Sequence, residues 1–204
     1  MNLANKLSFF RIVLAPVFFI IYLLPRFFPS LFVNGAAWTV PVLWSIAIIS
    51  EITDYFDGFV ARKLNLTSDF GKFLDPFADT LTQITFFLCF IIDSTFPGGI
   101  FPVILFLIVV YREFAIMFLR NLMLKKGITM GARMGGKVKT VAYISVAAIT
   151  FLTVSFERLG LLNSILPYLK IGALIAFTIS VIISIISFFD YLLIYKKTAD
   201  VKAQ

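Results

Sequence analysis

The stretch Ile171-Gly-Ala-Leu-Ile-Ala-Phe-Thr-Ile-Ser-Val-Ile-Ile-Ser-Ile-Ile-Ser-Phe-Phe189 runs for 19 residues without a charge. A helix needs about 20 predominantly apolar residues to cross the hydrocarbon layer of a bilayer. With its flanks, this stretch marks a span over 169–195. Similar apolar runs cover 8–25, 36–60, 73–93, 99–124 and 138–156. Between them lie Pro25 to Gly35, Lys63 to Lys72, Thr95 to Gly99, Lys125 to Lys137 and Glu157 to Leu169, all rich in Pro, Gly or charge. The expected fold is an all-α integral membrane protein, a bundle of six transmembrane helices forming a single membrane-embedded domain over 1–204.

Composition agrees. Of 204 residues, 60% are hydrophobic and 14% charged, and 25 are Phe, more apolar surface than one soluble core of this size can hide. The net charge of +7 would suit nucleic acid in a soluble protein. Here the basic residues sit at the ends of apolar runs, with no basic stripe among polar residues, so topology and anionic headgroups account for them and nucleic acid is not an expected partner. Lys6, Arg11 and the apolar residues to Leu24 lack a small-x-small cleavage site and read as a retained first span. Six spans put both termini on one side with the 63–72 and 125–137 loops. Only Arg26, Arg158 and Lys170 of the 18 basic residues fall on the other side. The bias predicts a cytoplasmic-membrane protein with both termini in the cytoplasm. Cys89, alone in an apolar run, reads as a buried small hydrophobe. The absence of His excludes imidazole triads, His-ligated zinc and imidazole proton shuttles.

Acids inside membrane segments are costly and mark functional sites. Asp54, Asp57, Asp75 and Asp79 lie within 26 residues. Asp54, Asp57, Gly58 and Ala61 share one helix face, and Gly71, Asp75 and Asp79, each four apart, share a face of the next helix. Two such faces can meet around a pocket, where four carboxylates must be protonated or neutralised by cations. Two divalent ions balance four carboxylates, and oxygen ligands favour magnesium, manganese or calcium. A pair of such ions suits phosphoryl transfer, while the small residues leave room for a flat group such as a nucleotide. The plain alternative is that the acids are solvated charges and caps at helix ends.

Asp54-Tyr-Phe-Asp57-Gly58-Phe-Val-Ala61-Arg62, then eight residues, then Gly71-Lys-Phe-Leu-Asp75-Pro-Phe-Ala-Asp79 resembles the signature of the CDP-alcohol phosphotransferase family, with every fixed position at its spacing. The resemblance implies that Asp54, Asp57, Asp75 and Asp79 hold two divalent metals, Mg2+ or Mn2+. It implies that Asp79 is also the catalytic base on the acceptor hydroxyl. Asp54, Gly58, Ala61, Arg62, Gly71 and Asp75 would bind the cytidine nucleotide. It further implies a six-helix core, an active site near the cytoplasmic side and a homodimer.

A second cluster bears on the acceptor: Tyr111-Arg112-Glu113-Phe114, Arg120, then Arg133, Lys137 and Lys139. Arg112 and Arg120 point to one side of a helix, and several of these cations can converge to hold a phosphate. Topology alone accounts for Lys125 and Lys126. The partner of Glu113, Arg112 or Arg120, is open. The pattern Arg-Glu-Phe, Arg, Gly-Lys-Val-Lys-Thr and the opening Met1 to Leu7 resemble the phosphatidylglycerophosphate synthase branch, which transfers phosphatidyl from CDP-diacylglycerol to glycerol 3-phosphate and releases CMP. Thr80 departs from the Lys common after the last Asp in that branch. Two rivals stand beside this reading. One is the same chemistry on serine, inositol phosphate or choline; the other is a divalent-cation transporter, against which the few acids in the other spans, Glu113 and Asp190, argue. Trp38 and Trp44 suit an interfacial belt, Gly172 and Ala173 suit close helix contact, and Lys196 to Gln204 reads as a solvated tail.

Overall fold

Among the described residues the regular structure is six helices: α1 Leu3–Phe27, α2 Thr39–Lys63, α3 Asp69–Ile92, α4 Phe101–Lys125, α5 Met134–Arg158 and α6 Leu166–Val201. The computed structural model describes residues 3–29, 36–63, 69–125 and 134–201, with side chains for 5–29, 36–54, 56, 71, 73–123, 134–193, 195 and 196. Helices are the natural answer to this sequence, since a backbone surrounded by lipid must satisfy its own polar groups. Over the described residues five of them, α1, α3, α4, α5 and α6, are long and apolar enough to cross a membrane. Glu51 and Asp54 interrupt the second half of α2. The chain is a multi-pass membrane protein.

The helices overrun the expected spans. Helix α3 begins at Asp69, inside the expected 63–72 loop, α4 continues to Lys125, and α6 carries helix through Lys196 to Val201, where a tail was expected. Hydropathy measures the hydrocarbon crossing; backbone hydrogen bonding continues into the headgroup layer, where charged side chains are solvated.

Packing is built around α3, which contacts α1, α4 and α5; α1 also packs on α2, while α6 packs on both α4 and α5. Helices α3, α4, α6 and α5 therefore close a ring, with α1 outside it against α3 and α2 against α1. The core is aromatic. Phe18 lies 4.5 Å from Phe86 between ring centroids, Phe87 meets Tyr143 edge-on at 5.4 Å, and Phe96 stacks on Phe177 at 5.0 Å. Cys89 is fully buried among them, as expected.

Two expectations are corrected. Trp44 packs inward, 4.7 Å from Phe151, and its indole N–H donates to Ser155 Oγ at 3.0 Å, whereas Trp38 is exposed. Gly172 faces open space, and Ala173 alone makes the close contact. A true close approach lies elsewhere: a Cβ on Gly136 would sit 3.0 Å from the Tyr191 hydroxyl. The α3–α4 turn uses Gly98 and Gly99 at φ of 102° and 60°, a region that other residues enter at a cost.

One end of the bundle is tied by Arg158, the last residue of α5. It donates to Thr39 Oγ1 at 2.7 Å and to the Tyr22 carbonyl at 2.9 Å, and its guanidinium lies 4.3 Å from the Tyr22 ring centroid. The Tyr22 hydroxyl in turn donates to Asp93 at 3.2 Å. Arg158 thereby joins α5 to α1 and α2. Arg158→Ala should lower stability by about 2 kcal/mol, the usual worth of charged hydrogen bonds at a partly buried site. A melting curve of purified protein in detergent checks this; an unchanged melting temperature would dismiss the clasp.

Candidate active site

Asp54 is carried by α2, and Asp75 and Asp79 by α3. The four-residue spacing of the α3 pair stacks them on one face, as expected, with partly exposed Gly71 a turn earlier. Pro76 beside Asp75 withdraws one backbone N–H from the helix, a loss membrane helices tolerate. Each of the three carboxylates offers an oxygen within 4.8 Å of the others, so the group could hold a metal ion. Oxygen-only donors suit a hard divalent cation such as magnesium or manganese.

The cation at this cluster comes from α1. The Arg11 guanidinium donates to Asp54 Oδ1 at 2.5 Å, to Asp75 Oδ1 at 2.5 Å and to Asp79 Oδ1. Its side chain is 2% exposed, against 44%, 44% and 40% for the three carboxylates. The acids therefore stay open to a ligand on one side while Arg11 closes the other. Sequence reasoning counted Arg11 only as a topology signal. The sign that could have found it is its setting, Phe9-Phe10-Arg11-Ile12-Val13, as apolar as the setting of Arg112.

Beyond the carboxylates, the ring of α3, α4, α5 and α6 encloses a cavity of about 450 Å³. Asp75, Asp79 and Thr80 line one wall; Arg112, Arg120, Lys137 and Lys139 line the others. The four expected acceptor cations that the structure describes thus come together. The side chains of Asp57, Ala61 and Arg62, together with Gly58, and all of Arg133, lie outside the described residues.

The cations are held in different ways. Glu113 pairs with Arg112 at 2.7 Å and with Lys139 at 2.9 Å, which answers the open question of its partner. Arg112 also donates to the Ser184 carbonyl and the Ser187 hydroxyl, both at 3.2 Å, so α6 fixes its plane. Lys139 donates to Gln83 at 3.1 Å and lies 4.4 Å from the Tyr143 ring centroid. Arg120 donates to the Tyr191 hydroxyl at 3.2 Å, and Lys137 is exposed. Gln83 and Tyr191 escaped the sequence reading because nothing local in the chain announces them.

A second, apolar cavity of about 200 Å³ runs between α1, α2, α3 and α5, lined by Phe18, Trp44, Ile48, Phe86 and Phe151, with Glu51 as its charged member. An acidic cluster, a basic cavity and an apolar groove meet along α3. Together they can accommodate a cation, an anionic group and a hydrocarbon chain.

Comparison with known proteins gives this arrangement a family. The pattern of the CDP-alcohol phosphatidyltransferase family matches residues 1–186. A protein of Treponema pallidum (strain Nichols), named CDP-diacylglycerol–glycerol-3-phosphate 3-phosphatidyltransferase, is 33% identical over 199 residues, covering 94% of this chain and 88% of its own. A Bacillus subtilis (strain 168) protein of the same name is 37% identical over 159 residues, covering 76% and 80%. The chain belongs to the CDP-alcohol phosphatidyltransferase family.

Proposed function

We propose that this protein transfers a phosphatidyl group from CDP-diacylglycerol to glycerol 3-phosphate, giving phosphatidylglycerophosphate and releasing CMP. The observation that carries the reading is the shared cavity: Arg112, Arg120, Lys137 and Lys139 face the carboxylates Asp75 and Asp79 across one space. An acceptor bearing its own phosphate matches that polarity, and an uncharged alcohol leaves the cations without work. The names of the Treponema and Bacillus relatives agree with it.

In this reading Asp54, Asp57, Asp75 and Asp79 hold two divalent ions, Mg2+ or Mn2+. When bound, these ions draw charge from the donor's diphosphate. Asp54, Gly58, Ala61, Arg62, Gly71 and Asp75 seat the cytidine nucleotide. Arg112, Arg120, Arg133, Lys137 and Lys139 bind the acceptor phosphate, with Arg112 oriented by α6 and Arg120 by Tyr191. Asp79, which lines the acceptor cavity, accepts the proton of the acceptor's terminal hydroxyl. That oxygen forms a bond to the lipid-side phosphorus as the bond from this phosphorus to the CMP oxygen breaks. The apolar groove along α3 takes hydrocarbon of the donor lipid. Thr80, on the cavity wall where relatives of this branch commonly place Lys, leaves phosphate binding to the cations of α4 and α5. All six helices span the cytoplasmic membrane, both termini and the site lie on the cytoplasmic side, and the protein works as a homodimer.

Transfer of label from glycerol 3-phosphate should occur with CDP-diacylglycerol and magnesium or manganese, and should vanish with chelator. Serine, inositol phosphate and choline, offered in parallel, should give none; transfer to one of them alone would overturn the acceptor. Asp79→Asn should lower kcat by roughly 10²- to 10⁴-fold, the usual share of a positioned base, while CDP still binds in calorimetry. Full activity in that variant would end its role. Arg120→Ala should act differently. It should raise the KM for glycerol 3-phosphate by about tenfold or more, the worth of one charged hydrogen bond, and leave the KM for donor unchanged.

A further inference from the structure

Arg11 has no part in the transfer described above, yet it is the most buried charge at the site and touches all three described carboxylates of the cluster. Its hydrogen bonds take Oδ1 of each. These acids are also the group whose oxygens could hold a metal ion. A guanidinium and a divalent cation drawing on the same small set of oxygens repel each other, strongly so where water is scarce. One guanidinium against three ionised carboxylates leaves a formal charge of −2, enough to attract a divalent ion but not to hold both cations on the same atoms.

An alternative seat for the guanidinium lies beside it. Arg11 and Glu51 line one small cavity, of about 30 Å³, together with Ser50, Asp54, Asp79 and Thr82. Glu51 sits one turn before Asp54 on α2 and stands outside the group of acids placed to hold a metal. A side chain as long as Arg can exchange carboxylates across such a space by rotation, with no movement of α1.

We propose that Arg11 is the resident counter-cation of the carboxylate cluster, displaced onto Glu51 when a divalent ion takes the Asp oxygens. It is a positioning residue. It neutralises three like charges while no metal is bound, and by competing for their oxygens it sets how tightly the metal binds. The inference rests on the metal-binding role of the cluster.

Binding of Mn2+ to the purified full chain in nanodiscs, without nucleotide or lipid substrate, tests it through the electron paramagnetic resonance of free Mn2+. Arg11→Gln should bind Mn2+ about tenfold tighter than the unsubstituted protein, since the competitor is gone. Arg11→Lys, which keeps the charge but cannot bridge three carboxylates, should shift the same way by less, and serves if the Gln variant fails to fold. Glu51→Gln should weaken Mn2+ binding, and this loss should shrink in the Arg11→Gln background, because Glu51 acts through Arg11. Mn2+ binding that is unchanged or weaker in the folded Arg11 variants would overturn the displacement while leaving the metal site intact. A Glu51→Gln effect of equal size in both backgrounds would remove Glu51 from it. Absence of Mn2+ binding to the unsubstituted protein would instead overturn the metal site itself, and this inference with it.

Discussion

Carboxylates brought together in a low-dielectric bundle repel one another, and the rest of this structure is arranged around that repulsion. Asp75 and Asp79 are fixed by the pitch of α3, and Asp54 reaches them from α2. Removing the acids from one another would take α2 away from its place beside α1. The fold supplies a cation instead. Arg11 is delivered by α1, the helix that packs on both α2 and α3, so the element bringing the charge also holds the acidic helices in place. Packing and electrostatics support each other here, since loss of either would open the other.

The second consequence is the division of labour around α3. On its α1–α2 side lie the acids and an apolar groove; on its other side the ring with α4, α6 and α5 encloses the basic cavity. Asp75 and Asp79 belong to both sides. A reaction that joins a lipid-borne phosphorus to a water-soluble anionic alcohol needs such a shared wall, because its partners arrive from different phases. Within the ring, Glu113 limits the accumulation of positive charge by holding Arg112 and Lys139. The cavity keeps a positive balance without every cation competing for the same ligand.

Much of this was legible in the chain. Apolar length located all six helices, and four-residue spacing placed Asp75 and Asp79 on one face. Arg112 and Arg120 were recognisable from depth and spacing, and they do line one cavity. What escaped has a common physical reason. Arg11, Gln83 and Tyr191 act through contacts with residues tens of positions away, and periodicity carries no information about which helices become neighbours. Helix ends were misplaced because hydropathy reports the hydrocarbon layer alone. Trp44 was misread because an indole near a helix end serves an interface or a core equally well, and only the position of Phe151 and Ser155 decides between them. Gly172 and Ala173 show the same limit: the pair suits close packing, but the rotation of α6 presents only Ala173 to the core.

The two ends of the bundle show how a buried charge reveals its purpose. Asp93 follows the end of α3, 14 residues beyond Asp79, or about 21 Å along a helix. There Arg158 donates hydrogen bonds to Thr39 and the Tyr22 carbonyl and lies over the Tyr22 ring, while the Tyr22 hydroxyl donates to Asp93. Those charges tie α1, α2 and α5 together and line none of the cavities at the acidic end of α3. At that end the carboxylates keep about two-fifths of their surface exposed, and the cations of α4 and α5 face a cavity of about 450 Å³. Charges satisfied wholly by the protein stabilise the fold, because their desolvation is already compensated. Charges of opposite sign that face each other across a solvent-sized space are only partly compensated until a ligand bridges them. The difference between the ends is one of completion, and it is the reason the proposed chemistry is assigned to the carboxylate end of α3.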